Sequence, residues 1–443
     1  METEEHEKEF KEKALRYSKI YGGKISTIPK VPISSLNDFS IWYTPGVAAV
    51  SDAIHADKEL SFELTNRWNT IAILTDGSRV LGLGPVGPEA SLPVMEGKAL
   101  IYKYFGGVDA FPLPIYSSNK EEFVSVARSI EPAFGGINLE DIESPKCFEI
   151  LDELRNTMNI PVWHDDQQGT AGVVLAALFN AIELTGRKIR DTKVTLLGAG
   201  AANIAAAKLM MEAGFDPSKI VLVDSKGVLH AEREDMDQLM LRNRWKYELA
   251  LKTNGARIKG GLREALKGSD VLIAASRPGP NVVRAEDISA MSKEPIVFLL
   301  ANPVPEMWPE EAKRTGAAIV ATGRSDYPNQ VNNSLLFPSI FRGCLDVRAK
   351  TISDTMVIEA SKELAIYAKE TGISEERILP TMVEWEFYPR VAARVGMQAQ
   401  KEGLARKNLS YKELLETATA SIELSRKAMN ALMEKGVIKV MPD

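Results

Sequence analysis

Short apolar runs alternate with longer amphipathic segments along most of the chain. Runs in which nearly every side chain is apolar predict strands buried on both faces of a sheet. The predicted strands are 70–75, 108–116, 136–140, 160–163, 192–197, 219–224, 269–276, 295–302 and 317–321. A further strand, 79–84, is predicted to return beside 70–75 through the turn at Asp76, Gly77 and Ser78.

Apolar side chains spaced three or four residues apart predict the helices between these strands. A charged surface helix is expected over 1–20, ended by Gly22 and Gly23. From 353 onward the chain is predicted to be helical, with breaks at Pro380 and Pro389. The remaining predicted helices are 47–56, one after Gly87 that carries 95–102, 120–133, 145–158, 171–184, one that begins after Gly200, and 235–253.

This order of elements favours an α/β fold with parallel sheets. We predict an N-terminal α/β domain over residues 1–163 and a Rossmann-type domain with a doubly wound parallel sheet over 164–350. A C-terminal helical segment, 351–443, is expected to pack on the N-terminal domain or at a dimer interface.

Composition excludes several classes of protein. The 443 residues are 45% hydrophobic and carry a formal net charge of −6, so no basic excess is present to bind nucleic acid or an anionic membrane. No apolar run approaches a membrane span, and the charged N-terminus does not resemble a signal peptide. With Cys147 and Cys344 as the sole cysteines, we expect a cytoplasmic protein without disulfides.

Acidic pairs follow two successive predicted strands, namely Glu140-Asp141 and Asp165-Asp166. Because parallel strands end at the same edge of a sheet, these carboxylates are expected to lie close together. Such like charges repel one another unless a cation or protons neutralise them, and hard oxygen ligands suit Mg²⁺ or Mn²⁺. The alternative is that the acids are simply solvated at loop tips.

A glycine-rich turn begins the second domain. A strand, Gly198-Ala-Gly200, a helix of small residues and a second strand ending in Asp224 follow in the order of a dinucleotide-binding unit. Asp224 is placed to accept hydrogen bonds from the adenosine ribose, whereas Ser225 and Lys226 equally suit a 2′-phosphate. The choice between NAD and NADP therefore stays open.

Other polar residues have ordinary structural interpretations when each is taken alone. Tyr43 suits a core position, and Lys98, among small and apolar neighbours, suits a surface lysine with a buried stem. If its ammonium is desolvated, Lys98 becomes a candidate base. Asn302 ends a predicted strand, as in an Asx-turn, but capping explains only one of the adjacent Asn332 and Asn333.

Taken together, the motifs resemble the malic enzyme family of the short prokaryotic type over essentially the full chain. The matching segments are Tyr43-Thr-Pro-Gly-Val-Ala, Leu81-Gly-Leu-Gly, Glu96-Gly-Lys-Ala, Asn138-Leu-Glu-Asp-Ile, His164-Asp-Asp-Gln-Gln-Gly-Thr-Ala, Gly198-Ala-Gly-Ala-Ala, Ala301-Asn-Pro and Val331-Asn-Asn.

The resemblance implies a role for each matching residue. Tyr43 and Lys98 would form the acid–base pair with Asp165 in support, and Glu140, Asp141 and Asp166 would hold the metal. The implied substrate contacts are Arg79, Asn302, Asn332 and Asn333, and the implied cofactor contacts are Gly198, Gly200, Ala201, Ala202, Asn203, Asp224, Ser225, Lys226 and Asn302.

Three positions depart from the family pattern. Asn203 replaces the third small residue of the dinucleotide motif, and Gln168 stands where short members often have His. Arg79 matches a substrate-binding arginine of longer members that short members often lack.

The implied reaction is the oxidative decarboxylation of L-malate to pyruvate and CO₂, with NAD or NADP and Mg²⁺ or Mn²⁺. Two alternatives remain: a malolactic enzyme that releases lactate, and a non-catalytic nucleotide sensor, for which the acid–base pair would have no use. The family also implies a homodimer, in which Tyr43 serves either its own site or its partner's.

Overall fold

The computed structural model describes residues 2–80 and 82–442, so Leu81 of the Leu81-Gly-Leu-Gly motif and Met1 of the first predicted helix lie outside the described residues. In this described part of the chain ten strands form two sheets, and most of their side chains are buried because helices cover both faces. The strands are β1 Thr70–Thr75, β2 Asp109–Pro114, β3 Gly136–Leu139, β4 Val162–His164, β5 Val194–Leu197, β6 Ile220–Asp224, β7 Gly227–Val228, β8 Val271–Ala274, β9 Ile296–Leu299 and β10 Ile319–Thr322.

Each interval predicted to be helical contains a helix, and further short helices, such as Asp38–Trp42 and Leu262–Leu266, were not predicted. The expected helix 235–253 divides in two, because the Asn243 side chain accepts a hydrogen bond from the backbone N–H of Lys246 and starts a new helix. The helices are α1 Glu2–Tyr21, α2 Asp38–Trp42, α3 Gly46–Ala56, α4 Ser61–Leu64, α5 Pro88–Gly106, α6 Lys120–Ile130, α7 Lys146–Thr157, α8 Thr170–Leu184, α9 Ala201–Glu212, α10 Met236–Arg242, α11 Arg244–Lys252, α12 Leu262–Leu266, α13 Ala285–Ser289, α14 Pro309–Arg314, α15 Phe337–Asp346, α16 Asp354–Glu370, α17 Phe387–Lys401 and α18 Tyr411–Glu434.

The first sheet has the strand order β2-β1-β3-β4, and all its pairs are parallel. The predicted return strand 79–84 is wrong. Val80 and Gly84 form one isolated bridge, and the Arg79 N–H donates to the carbonyl of Asp141 instead of a sheet partner. The segment after β1 therefore crosses toward the carboxyl ends of the strands, where the acidic residues lie.

The second sheet has the order β10-β9-β8-β5-β6-β7, in which β7 alone pairs antiparallel among the described strands. β5 lies between β6 and β8, so the chain winds outward in both directions from it. The carboxyl end of β5 is thus the point where such sheets open a crevice for a ligand. The α/β fold class with a Rossmann-type sheet and C-terminal helices is confirmed.

The C-terminal helices pack on both halves of the chain. Ser425 in α18 donates to the carbonyl of Lys103 in α5, and Ser361 in α16 donates to the carbonyl of Gly172 in α8, each at 2.8 Å. The expected break at Pro389 is wrong, because this proline lies in the first turn of α17, where its missing N–H costs no helical hydrogen bond.

The N-terminal segment that contains α2 and α3 is apolar but exposed. α2 and α3 bury none of their residues, although the segment is rich in large apolar side chains. Those that stay exposed include Ile33, Leu36, Phe39, Ile41, Trp42 and Val47. No described helix is both long enough and apolar enough to cross a membrane.

Candidate active site

Carboxylates cluster where β3 and β4 end. Leu139 pairs with His164 in the parallel register, so the residues that follow the two strands emerge side by side. Carboxylate oxygens of Glu140, Asp141 and Asp166 lie within 4.8 Å of one another. Burial raises the pKa of the Glu140 carboxyl, and the neighbouring acids add to this effect although Lys98 opposes it. The oxygen-only donor set fits a hard divalent cation such as Mg²⁺ or Mn²⁺.

Lys98 reaches this cluster from α5. Its Nζ lies 2.5 Å from Asp165 Oδ2 and 2.8 Å from Glu140 Oε2, and the side chain is 10% exposed. The ammonium also lies 4.4 Å from the centre of the Phe337 ring. Burial lowers the pKa of Lys98, but the two carboxylates outweigh it and raise the pKa above its ordinary value. The lysine is therefore a buried, paired group, in contrast to a surface residue with a buried stem.

Asp165 is held from several directions. Trp163 Nε1 donates to its Oδ1 at 3.0 Å, and Asn333 Nδ2 donates to its Oδ2 at 3.0 Å. The residue begins a π-helical turn, Asp165–Gly169, which precedes α8. A Cβ at Gly169 would lie 2.1 Å from Asp165 Oδ1, so this turn needs glycine there.

Glu140 is oriented by two residues to which the sequence assigned no role. Asn138 Nδ2 donates to Glu140 Oε2 at 2.8 Å, and the Tyr102 hydroxyl donates to Asn138 Oδ1 at 2.7 Å. Asn138 stands in the middle of an apolar strand, which is the signal that could have identified it. Tyr102 gives no such signal, because a buried tyrosine in a helix is ordinary.

A cavity of about 870 Å³ joins the carboxylate cluster to the second domain. It brings together most of the predicted catalytic, metal, substrate and cofactor residues. Those that line it are Arg79, Lys98, Glu140, Asp141, Asp165, Asp166, Gly200, Ala201, Ala202, Asn302, Asn332 and Asn333. Tyr43 does not line it: that side chain is 69% exposed. Asn332 caps the turn after it by accepting from the Ser334 N–H.

The dinucleotide motif occupies the crevice at β5. Gly198 has a φ of +95°, and a Cβ there would lie 2.4 Å from the carbonyl oxygen of Ala275. Asn203 lies beneath the loop, where its Nδ2 donates to the carbonyls of Leu197 at 2.8 Å and Ile273 at 3.3 Å. Its side chain therefore ties α9 to the sheet and does not face the cavity.

Asp224, at the end of β6, lies in a network of charges outside the cavity lining. Arg233 Nη1 donates to Asp224 Oδ1 at 3.0 Å, and Lys246 Nζ lies 3.6 Å from Asp224 Oδ2. Asp235 accepts from Arg233 and from Lys226, the latter at 2.9 Å. Three cationic side chains thus surround two carboxylates, with Ser225 exposed beside them.

Glu306 is a further buried residue for which the sequence predicts no role. It is fully buried, and its carboxylate accepts from the backbone N–H groups of Ser276 at 2.8 Å and Ala301 at 3.1 Å. It thereby holds the loops that follow β8 and β9, including the segment that leads to Asn302. An acid inside the run Pro305-Glu306-Met307-Trp308 is the available signal.

Comparison with known proteins identifies relatives with two matching domains. The model described as "Malic enzyme, N-terminal domain" matches residues 22–117 and 113–155, and "Malic enzyme, NAD binding domain" matches 167–400. The NAD-dependent malic enzyme of Geobacillus stearothermophilus is 45% identical over 87% of this chain and 79% of its own. The bifunctional malic/malolactic enzyme of Bacillus subtilis is 43% identical over 92% of this chain and 97% of its own. The crystal structure of Entamoeba histolytica malic enzyme superposes with a TM-score of 0.94 at 45% identity, over 98% of this chain and 90% of that one.

Proposed function

Since this chain belongs to the malic enzyme family, whose members include NAD-dependent and NADP-dependent enzymes, we propose that it catalyses the metal-dependent oxidative decarboxylation of L-malate. The products are pyruvate, CO₂ and the reduced nicotinamide. The observation that carries this proposal is the buried contact of Lys98 with Asp165 and Glu140, in the cavity that also contains the dinucleotide loop.

Each group in the cavity then has a task. Glu140, Asp141 and Asp166 would hold a divalent cation, which supplies positive charge that stabilises oxygen anions during oxidation and decarboxylation. Gly200, Ala201 and Ala202 would border the nicotinamide dinucleotide, which accepts the hydride from C2 of malate. Asn302, Asn332 and Arg79 would supply donors for the substrate carboxylates, and Asn333, whose amide nitrogen donates to Asp165, lines the same cavity.

A bound divalent cation would offset the carboxylate charge that keeps Lys98 protonated, and the neutral amine would then take the proton from the C2 hydroxyl of malate. Asp165 keeps the lysine side chain in place, and Asn333 and Trp163 keep Asp165 in place in turn. Loss of CO₂ leaves a carbanion at C3, and Tyr43 delivers the proton that converts it to pyruvate.

Tyr43 is proposed to act in the site of a second copy of the chain. It lies outside its own cavity, on an apolar segment that buries none of its helical residues. A face with Phe39, Ile41, Trp42 and Val47 exposed is typical of a surface that another subunit covers. A homodimer that buries this segment also explains why the site of one chain lacks its acid.

Both nicotinamide cofactors are proposed to bind. Asp224 suits the ribose hydroxyls of NAD⁺, but Arg233 and Lys246 already pair with it. Arg233, Lys246 and Lys226 together carry one more charge than Asp224 and Asp235. This positive excess favours the extra phosphate of NADP⁺.

A direct assay tests the proposed reaction. Purified protein is incubated with L-malate and Mn²⁺ or Mg²⁺, separately with NAD⁺ and NADP⁺, and reduced nicotinamide, pyruvate and lactate are measured. Equal amounts of pyruvate and reduced nicotinamide support the proposal. The Bacillus subtilis relative makes malolactic activity the second candidate, and lactate without net reduction would establish it. If neither pyruvate nor lactate forms, the nucleotide sensor is the remaining interpretation.

A further inference from the structure

The π-helical turn Asp165–Gly169 separates two cavities. Asp165 and Asp166 line the large one, whereas Gln167 and Gln168 line a second, of about 90 Å³, which α7, α8, α9, α11 and α16 also border. At ~30 Å³ for each water in the liquid, this space suits a few waters or one small ion. It lies outside every role assigned to the active site above.

Two residues that line this second cavity carry hydrogen-bond donors without acceptors. Gln167 and Gln168 are 4% and 6% exposed, and neither Nε2 has a hydrogen-bond partner in the described part of the chain. The Gln168 Oε1 accepts from the backbone N–H of His164 at 3.0 Å, so its amide nitrogen is fixed as the unused end. Buried N–H groups nearly always have an acceptor, so these two amides indicate a bound acceptor.

A cation lies at the same cavity. Lys208, on α9, lines it. Within residues 2–80 and 82–442, its Nζ forms no ion pair of 4.0 Å or less with a carboxylate. The two acids of the lining have other partners: Asp152 pairs with Arg244 at 2.7 Å, and Asp354 with Arg155 at 3.2 Å. The lining thus offers an ammonium and two amide donors, and its two carboxylates, each paired with an arginine, also act on the charge of Lys208.

We propose that this cavity binds a small oxyanion of the size of inorganic phosphate, through Lys208, Gln167 and Gln168. The anion would connect the turn that carries Asp165 and Asp166 to α9, whose first residues follow the dinucleotide loop. It would therefore stabilise the metal and cofactor halves of the active site in one arrangement.

The test is titration of inorganic phosphate into the enzyme at constant ionic strength, with NAD⁺ saturating so that the dinucleotide loop is occupied. Thermal unfolding and calorimetry are followed without malate, so the result does not depend on turnover. We expect saturable binding and a rise in melting temperature. Lys208→Met should weaken that binding about tenfold or more, the loss expected for one charged hydrogen bond.

Lys252→Met is the matched control, because Lys252 on α11 is 63% exposed and pairs with Glu248. It should bind phosphate like the unaltered protein. Gln168→Leu provides a second variant that removes a donor without a change of charge, and it should also weaken binding. Absence of saturable binding, or equal affinity in the Lys208→Met protein, would show that the cavity holds water alone.

Discussion

Lys98 Nζ and Asp165 Oδ2 lie 2.5 Å apart, and this contact joins α5 to the turn between β4 and α8. Both groups are buried, so removal of the lysine leaves Asp165 and Glu140 without their cation. We expect Lys98→Ala to lower kcat by more than ~100-fold, the usual contribution of a positioned base. The affinity for Mn²⁺, measured by titration, should fall far less.

Lys103→Ala is the control for this variant, because Lys103 lies on the same helix, is 47% exposed and pairs with Asp109. It should keep nearly full turnover, since exposed ion pairs contribute little. Unchanged turnover in the Lys98→Ala protein would remove the lysine from the reaction.

Asp166→Asn tests the carboxylate cluster. Asp166 Oδ2 also accepts from the backbone N–H of Asp141, and an amide oxygen can keep that contact while the negative charge is lost. The Mn²⁺ concentration for half-maximal activity should rise by ~10-fold or more. The same measurement on Asp191→Asn, at an exposed acid that pairs with Lys219, should give the unaltered value. Equal Mn²⁺ requirements in the two variants would exclude Asp166 as a ligand.

The carboxylate cluster could be predicted because it follows from strand periodicity. Once 136–140 and 160–163 are parallel neighbours, Glu140, Asp141 and Asp166 must emerge at one edge. The pairing of Asp224 could not be predicted, since Arg233 and Lys246 reach it through the packing of α11 and the loop before α10. The prediction of a return strand at 79–84 was wrong. Two apolar runs joined by a turn can also form a strand and a loop whose N–H groups bond outside the sheet.

Gly198 and Gly200 should respond differently to an added methyl group. At Gly198 a Cβ meets the Ala275 carbonyl at 2.4 Å in a left-handed backbone, so Gly198→Ala should lower the free energy of unfolding by at least about 1 kcal/mol. At Gly200 no described atom lies within 4 Å of the added Cβ, and Gly200→Ala should fold normally. That methyl group would occupy space needed by the pyrophosphate, so dinucleotide affinity should fall.

Urea unfolding and cofactor titration measure both effects. A stable Gly198→Ala protein with unchanged cofactor affinity would contradict the steric argument. If the Gly200→Ala protein binds the dinucleotide with unchanged affinity, the pyrophosphate does not lie against Gly200.

Arg233→Gln should change the choice of cofactor. It removes the cation that covers Asp224, and the exposed carboxylate then repels a 2′-phosphate. We expect kcat/KM for NADP⁺ to fall ~10-fold or more, with a smaller change for NAD⁺. Arg257→Gln, at an 80% exposed arginine paired with Glu232, should leave the ratio of the two constants unchanged. An equal loss with both cofactors would indicate that Arg233 serves the fold alone.

Tyr43 and Lys98 can be assigned to one subunit or to two by mixing inactive variants. If Tyr43 enters the partner's cavity, a hybrid dimer of Tyr43→Phe and Lys98→Ala chains contains one site with both residues intact and one with neither. Differently tagged chains, co-expressed and purified as the hybrid, should then regain about half of the normal turnover per dimer, because a two-fold dimer has two equivalent sites. Each variant dimer alone should stay nearly inactive. A hybrid as inactive as its parents would place Tyr43 in its own site, since neither chain would then possess a complete pair.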